Sequence, residues 1–221
     1  MPQVLPDDLT ALAEAVGPEP DALIEEMDAR ADRERFPTVG PAVGGWLALL
    51  ARVVDASRVF EFGSGFGYSA YWFARELPDD GEVVLTEVDR EELEDAREYF
   101  ERAGLSGRAH FEHGDAVGTI GSYEGPFDIV LLDNEKSRYV EAFEAVREKV
   151  REGGLVLADN AITAGPIDRT DVRALLRGQG VEASEASRGV ADYLGHVRDA
   201  DEFQTALLPL GEGVAVSVKR A

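Results

Sequence analysis

The chain is predicted to fold as a doubly wound α/β sheet, mostly parallel and seven-stranded, closed by an antiparallel C-terminal hairpin. Three observations predict it. Five short, β-branched runs between residues 58 and 160 alternate with helical segments, and strands linked by crossover helices pair in parallel. A glycine-rich stretch, Gly63-Ser64-Gly65-Phe66-Gly67, joins the first run to the following helix, as ligand-binding turns of such sheets do. Residues 203–219 read as two more strands joined by Leu210-Gly211-Glu212-Gly213, which suits a hairpin.

Residues 7–55 have the spacing of helices. Asp7 can cap a helix carrying Leu9, Leu12 and Val16 that ends at Gly17-Pro18, and Asp21 a second carrying Leu23, Ile24, Met27 and Ala31 that stops before Pro37. The stretch VGPAVGGWLALLARVVDA predicts a third, starting near Pro41. From residue 58 the runs RVFEFG, EVVLTEVD, RAHFEHGD, FDIVLLD and GLVLADN are predicted strands. Between them YSAYWFARELP, REELEDAREYFERAG, AVGTIGSY and SRYVEAFEAVREKVREGG are predicted helices by spacing and by their Gly/Pro ends. The expected organisation is one domain over residues 1–221, with residues 1–55 as an N-terminal helical extension.

Charge narrows the partners. Lys and Arg total 22 against 44 Asp and Glu, a formal net charge of -22, and 19 of the 22 are Arg because Lys occurs only at Lys136, Lys149 and Lys219. Such a surface suits high salt, where screening weakens self-repulsion, and a halophilic protein is the expectation. It disfavours nucleic acid and anionic membranes, both of which are normally bound through Lys and Arg. With no cysteine there is no disulfide framework and no thiolate metal site. The start MPQVLPDDLT lacks a basic segment followed by an apolar run, so a cytoplasmic location is expected.

The glycine turn has Tyr68 where a dinucleotide fingerprint has its last glycine, which argues against NAD. Glu87 closes the second strand 20 residues beyond Gly67, where an acid can accept both hydroxyls of a ribose; together they predict a nucleoside-containing cofactor. Asp115, Asp133 and Asp159-Asn160 follow the third, fourth and fifth strands, and ligands of open α/β sheets bind beyond those strand ends. Read singly, Asp133 and Asp159-Asn160 are equally helix or loop caps. Read together, two carboxylates and an amide oxygen form a hard set suited to Mg²⁺ or Ca²⁺. Lys136, three residues past Asp133, is a candidate general base, since a nearby cation and partial burial both favour a neutral amine; the alternative is an ion pair with Asp133 or Glu135. His113 reads as strand-end packing, His196 as a surface helix residue, and Trp46 and Trp72 as core.

At these residues the sequence resembles the metal-dependent class I S-adenosylmethionine O-methyltransferases, the group of the catechol and caffeoyl-CoA enzymes. The resemblance spans roughly residues 36–219 and is carried by VGPAVGGWLALL, FEFGSGFGYSAYWFARELP, LTEVD, HGDA, FDIVLLDNEKSRY, GGLVLADN and LLPLGEGVAVS, in that order. It implies that Glu61, Gly63, Tyr68 and Ser69 line the methionine and ribose side of the cofactor, with Val39 packing from the N-terminal segment. Glu87 would hold the ribose, and Val88, Asp115 and Ala116 the adenine. Asp133 would touch both cofactor and metal; Asp133, Asp159 and Asn160 would be the metal ligands and Lys136 the catalytic base. The implied acceptor is a catechol-like or other small hydroxyl compound, and the implied assembly a homodimer. Alternatives are a tRNA hydroxyuridine methyltransferase of the same family and a non-catalytic S-adenosylmethionine-binding module. Asn134 and Glu135 stand where catechol-type enzymes have His and Trp. Residues 161–202, which match poorly, are expected to cover the acceptor pocket.

Overall fold

The computed structural model describes residues 4–221; residues 1–3, the beginning of the MPQVLPDDLT segment, lie outside the described residues. Three helices lead the chain: α1 (Asp7–Val16), α2 (Ala22–Glu34) and α3 (Gly40–Val53). Asp21 caps α2, its carboxylate accepting from the Leu23 and Ile24 amides at 3.0 Å each. Asp7 does not cap α1: the helix starts after Pro6 without a side-chain cap, and Asp7 sits in the first turn, where its charge favours the helix N-terminus.

The alternating part runs β1 (Arg58–Phe62), α4 (Tyr68–Ala74), β2 (Glu82–Glu87), α5 (Arg90–Arg102), β3 (Ala109–His113), α6 (Ala116–Thr119), β4 (Phe127–Leu132), α7 (Tyr139–Val146) and β5 (Val150–Ala158). Then come α8 (Arg169–Leu176), α9 (Glu185–Asp199), β6 (Phe203–Leu208) and β7 (Val214–Lys219). The sheet order is β3-β2-β1-β4-β5-β7-β6. β1 to β5 pair in parallel, and β7 pairs antiparallel with both β5 and β6. No helix among the described residues is long and apolar enough to cross a membrane.

Two predicted helices are shorter than their sequence spacing. AVGTIGSY forms the single turn α6 followed by a 3-10 turn over Ile120–Ser122, consistent with the low helix propensity of Gly118 and Gly121. α7 stops at Val146, not at Gly153-Gly154, because Val150 already pairs with Phe127 on β4. Arg147–Lys149 form a 3-10 turn and Val150 to Gly154 belong to β5, so sheet pairing overrides local helical spacing.

Alternation along the strands divides the core. Val59, Ile129 and Leu131 face α2 to α5, packing with Met27, Leu47, Trp72 and Phe100. Phe60, Phe62, Val130 and Leu132 face α6, α7 and α9, packing with Tyr139, Phe143 and Tyr193. β4, at the centre of the order, is buried along its whole length, as a strand covered on both faces must be. Trp72 is core as expected, but Trp46 is 40% exposed, sharing the outer face of α3 with Leu49 and Val53.

Candidate active site

The site is assembled by three consecutive strand ends. Asp133 N donates to Phe62 O at 2.9 Å and Asp159 N to Leu132 O at 3.0 Å, so the backbone ladder runs one residue past β1, β4 and β5. That extra step brings Asp133 and Asp159 side by side. The glycine turn crosses above them, its Gly63 and Ser64 amides donating to Thr86 O at 3.1 and 3.0 Å. Gly63 sits at φ 79°, and a Cβ there would lie 2.8 Å from the Asp133 carbonyl oxygen. Gly63→Ala should therefore cost about 2 kcal/mol or more, from left-handed backbone strain plus a clash with main chain. Thermal melting and S-adenosylmethionine calorimetry of the variant check this; an unchanged melt would refute the close approach.

Below the turn a cavity of about 600 Å³ opens. Val39, Gly63, Tyr68, Ser69, Glu87, Asp133, Lys136, Asp159 and Asn160 all line it. Its apolar lining includes Phe36, Pro37, Ala164, Pro166, Ile167 and Ala186. Residues 164–167 and 186 come from the 161–202 segment expected to cover the pocket, which also contains α8 and α9, Ala186 lying in the first turn of α9. Asn134 and Glu135 also reach the wall.

Glu61 lies beneath the turn, fully buried, one oxygen accepting from the Ser69 hydroxyl. Its other oxygen is buried without a partner among the described residues. Burial pushes its carboxyl up to about 8, opposed by the Ser69 hydrogen bond and reinforced by the charges of Asp133 and Glu87. Glu87 accepts from the Gly65 amide at 2.9 Å and from the Val88 and Asp89 amides at 2.7 and 2.9 Å, which pins its side chain at the cavity edge.

Lys136 Nζ donates to Asp133 Oδ1 at 2.8 Å, to Asn134 O at 3.2 Å and to the Tyr139 hydroxyl at 2.8 Å. The Tyr139 hydroxyl in turn donates to Asp159 O at 3.0 Å. The carboxyls of Asp133 and Asp159 are both raised by burial; Lys136 opposes the rise at Asp133, while the charge of Asp133 adds to it at Asp159. Lys136 bonds only one of the two, so the pair is short of positive charge. An amide oxygen from Asn160 beside two under-neutralised carboxylates is a donor set that fits a hard divalent cation. Among the described residues no group of three or more His, Cys, Asp or Glu is arranged to hold a metal ion, so any such site depends on the asparagine.

Four predicted cofactor residues lie outside the cavity wall: Glu61, buried beneath the turn, and the trio Val88, Asp115 and Ala116. Val88 is 70% exposed and Ala116 is buried at the start of α6. Asp115 caps α6 and accepts two bonds from Arg138, at 2.7 and 3.1 Å. All three follow β2 or β3, alongside Glu87. His196 pairs with Glu144 on the surface, and His113 is exposed, not packed, with Nε2 3.1 Å from Val88 O. Two site residues escaped sequence reasoning. Tyr139 carried a faint signal, three residues past Lys136. Glu212, from the β6–β7 turn, carried none.

Known proteins resemble this chain in sequence and in fold. Residues 19–220 match the family model described as O-methyltransferase. A catechol O-methyltransferase from Niastella koreensis is 32% identical over 161 residues, covering 71% of this chain and 73% of that protein. A caffeoyl-CoA O-methyltransferase from Petroselinum crispum is 27% identical over 216 residues, covering 90% and 83%. The crystal structure of an O-methyltransferase from Bacillus cereus in complex with SAH shares the fold, with a TM-score of 0.83 at 23% identity over 96% of this chain and 97% of that one.

Proposed function

This chain belongs to the S-adenosylmethionine-dependent O-methyltransferase family that includes catechol and caffeoyl-CoA O-methyltransferases, and on that premise we propose that it is a magnesium-dependent enzyme methylating one hydroxyl of a small vicinal diol such as a catechol. The observation that carries the reading is the gathering of Asp133, Asp159, Asn160 and Lys136 in the lining of a cavity that apolar residues also line. The glycine turn, Glu61, Ser69 and Glu87 supply the cofactor side, with Val39 and Tyr68 flanking it and Val88, Asp115 and Ala116 toward the adenine. Asp133, Asp159 and Asn160 would hold the metal, which when bound would supply a positive charge that makes an acceptor hydroxyl more acidic. Lys136 takes or shares that hydroxyl's proton, and its charge stabilises the developing oxyanion. The apolar lining, Phe36, Pro37 and Ile167 among it, fixes the acceptor ring in line with the methyl group and excludes water. Lys136 is the sole cation among the described residues lining the cavity, which favours an acceptor without phosphate.

The test is methyl transfer from labelled S-adenosylmethionine to a panel of catechols and caffeoyl-CoA in molar salt. EDTA should abolish turnover and added Mg²⁺ restore it. Full activity in EDTA would remove the metal from the proposal, and turnover of the CoA ester alone would replace the acceptor.

A further inference from the structure

The loop following β5 is clamped by the tip of the β6–β7 hairpin. Ala161 N donates to Gly213 O at 2.7 Å, and Ile162 N and Thr163 N donate to Glu212 O at 3.2 and 3.0 Å. Gly213 has φ 92°, and a Cβ there would lie 2.4 Å from Ile162 Cγ1, so only glycine allows the two segments to come this close. These main-chain bonds fix the loop without help from the Glu212 side chain.

That side chain does something separate. Glu212 Oε2 accepts from Asn160 Nδ2 at 2.6 Å, and the same nitrogen donates to Asp159 Oδ2 at 3.0 Å. A carboxamide nitrogen has two hydrogens, and both are committed here to carboxylate oxygens. Turning the amide over would set its oxygen against both carboxylates and lose both bonds. Asn160 also holds a left-handed backbone, φ 54°, a conformation asparagine tolerates better than most residues. Backbone and amide are thus each held in one of their alternatives.

We propose that Glu212 is a positioning residue that locks the Asn160 carboxamide with its oxygen, and not its nitrogen, available as the third ligand beside Asp133 and Asp159. The inference rests on the metal reading above. Glu212 Oε2 is engaged with Asn160 while Oε1 is buried without a partner among the described residues; direct ligation is the weaker role because no three acidic side chains are arranged for a cation among the described residues. Outer partners that orient metal ligands typically change metal affinity about 10–100-fold when removed.

Calorimetry with Mn²⁺ on the full chain, compared with S-adenosylmethionine affinity and melting temperature, tests it. Glu212→Ala should weaken Mn²⁺ binding by about 10–100-fold with S-adenosylmethionine affinity unchanged. Glu212→Gln, whose amide oxygen still accepts from Asn160 Nδ2, should bind Mn²⁺ within about threefold of the parent. Parent-like Mn²⁺ affinity in Glu212→Ala, or equal losses in both variants, would overturn the proposal. If Glu212→Ala melts early, Glu212→Gln still decides, since a loss there assigns the effect to charge and not to the hydrogen bond. Mn²⁺ affinity that is the same in the parent and in Asp159→Asn would instead sink the metal reading, and the Glu212 role with it.

Discussion

Replacing Lys136 by methionine should lower kcat by about 10²–10⁴-fold, the usual contribution of a positioned proton-transfer group, with S-adenosylmethionine affinity within a few-fold of the parent. The ammonium is bonded to Asp133 Oδ1, Asn134 O and the Tyr139 hydroxyl, with its nitrogen 4.9 Å from the Tyr139 ring centre. Methionine keeps the apolar stem and its packing on that ring, so the loss isolates the nitrogen. Arginine separates two roles: it keeps the positive charge beside Asp133 but cannot give up a proton near neutral pH. Lys136→Arg should therefore remain impaired if proton transfer matters. Steady-state kinetics on a catechol decides, and full turnover in the arginine variant would reduce Lys136 to a counter-charge.

The second large effect is expected at Glu61. Its carboxyl is pushed up to about 8 by burial, from an ordinary value of 4.5. Between those two pH values the folded protein keeps a proton that the unfolded chain has released, so stability falls as pH rises across the window and levels off above it. Glu61→Gln removes the titration. It should leave the melting temperature little changed near pH 5 and raise stability by roughly 2 kcal/mol or more at pH 8 and above. A cationic group of bound S-adenosylmethionine would favour the ionised form of Glu61, so the same change should weaken binding by about 10–100-fold, the worth of one charge-assisted hydrogen bond. Melting curves from pH 5 to 9 with parallel calorimetry provide the check. Curves for parent and variant that stay parallel throughout would show that the buried carboxyl is not held protonated.

Much of this arrangement is legible in the sequence because it depends on strand ends. Once FDIVLLD and GLVLADN are read as neighbouring parallel strands, Asp133 and Asp159 must emerge on the same edge, and the register Leu132 to Ala158 places them there. The glycine turn is legible for the same reason. Tyr139 and Glu212 are not, since each reaches the site through a tertiary step. Tyr139 arrives because a 3-10 turn over Lys136–Arg138 precedes α7. Glu212 arrives through the antiparallel register that pairs Ala158 with Ala215. Asp115 shows the opposite case: it stands at the expected strand end, but its pairing with Arg138, 23 residues away, depends on how two loops meet. Trp46 lies outward because an apolar helix with glycines on its inner side packs through Gly44, where a Cβ would strike Trp72; size alone does not tell which face turns inward.

The hairpin clamp on the loop after β5 bears on the order in which the protein can be completed. A chain emerging from the ribosome can pair β1 to β5 and close the glycine turn while its last stretch is still being made. The bonds that set residues 160–163 come from residues 212 and 213. The cofactor half of the cavity can thus form early, whereas the carboxylate wall acquires its final shape only with the closing strands, so nascent chains halted before residue 211 should present the nucleoside side without a finished acceptor side.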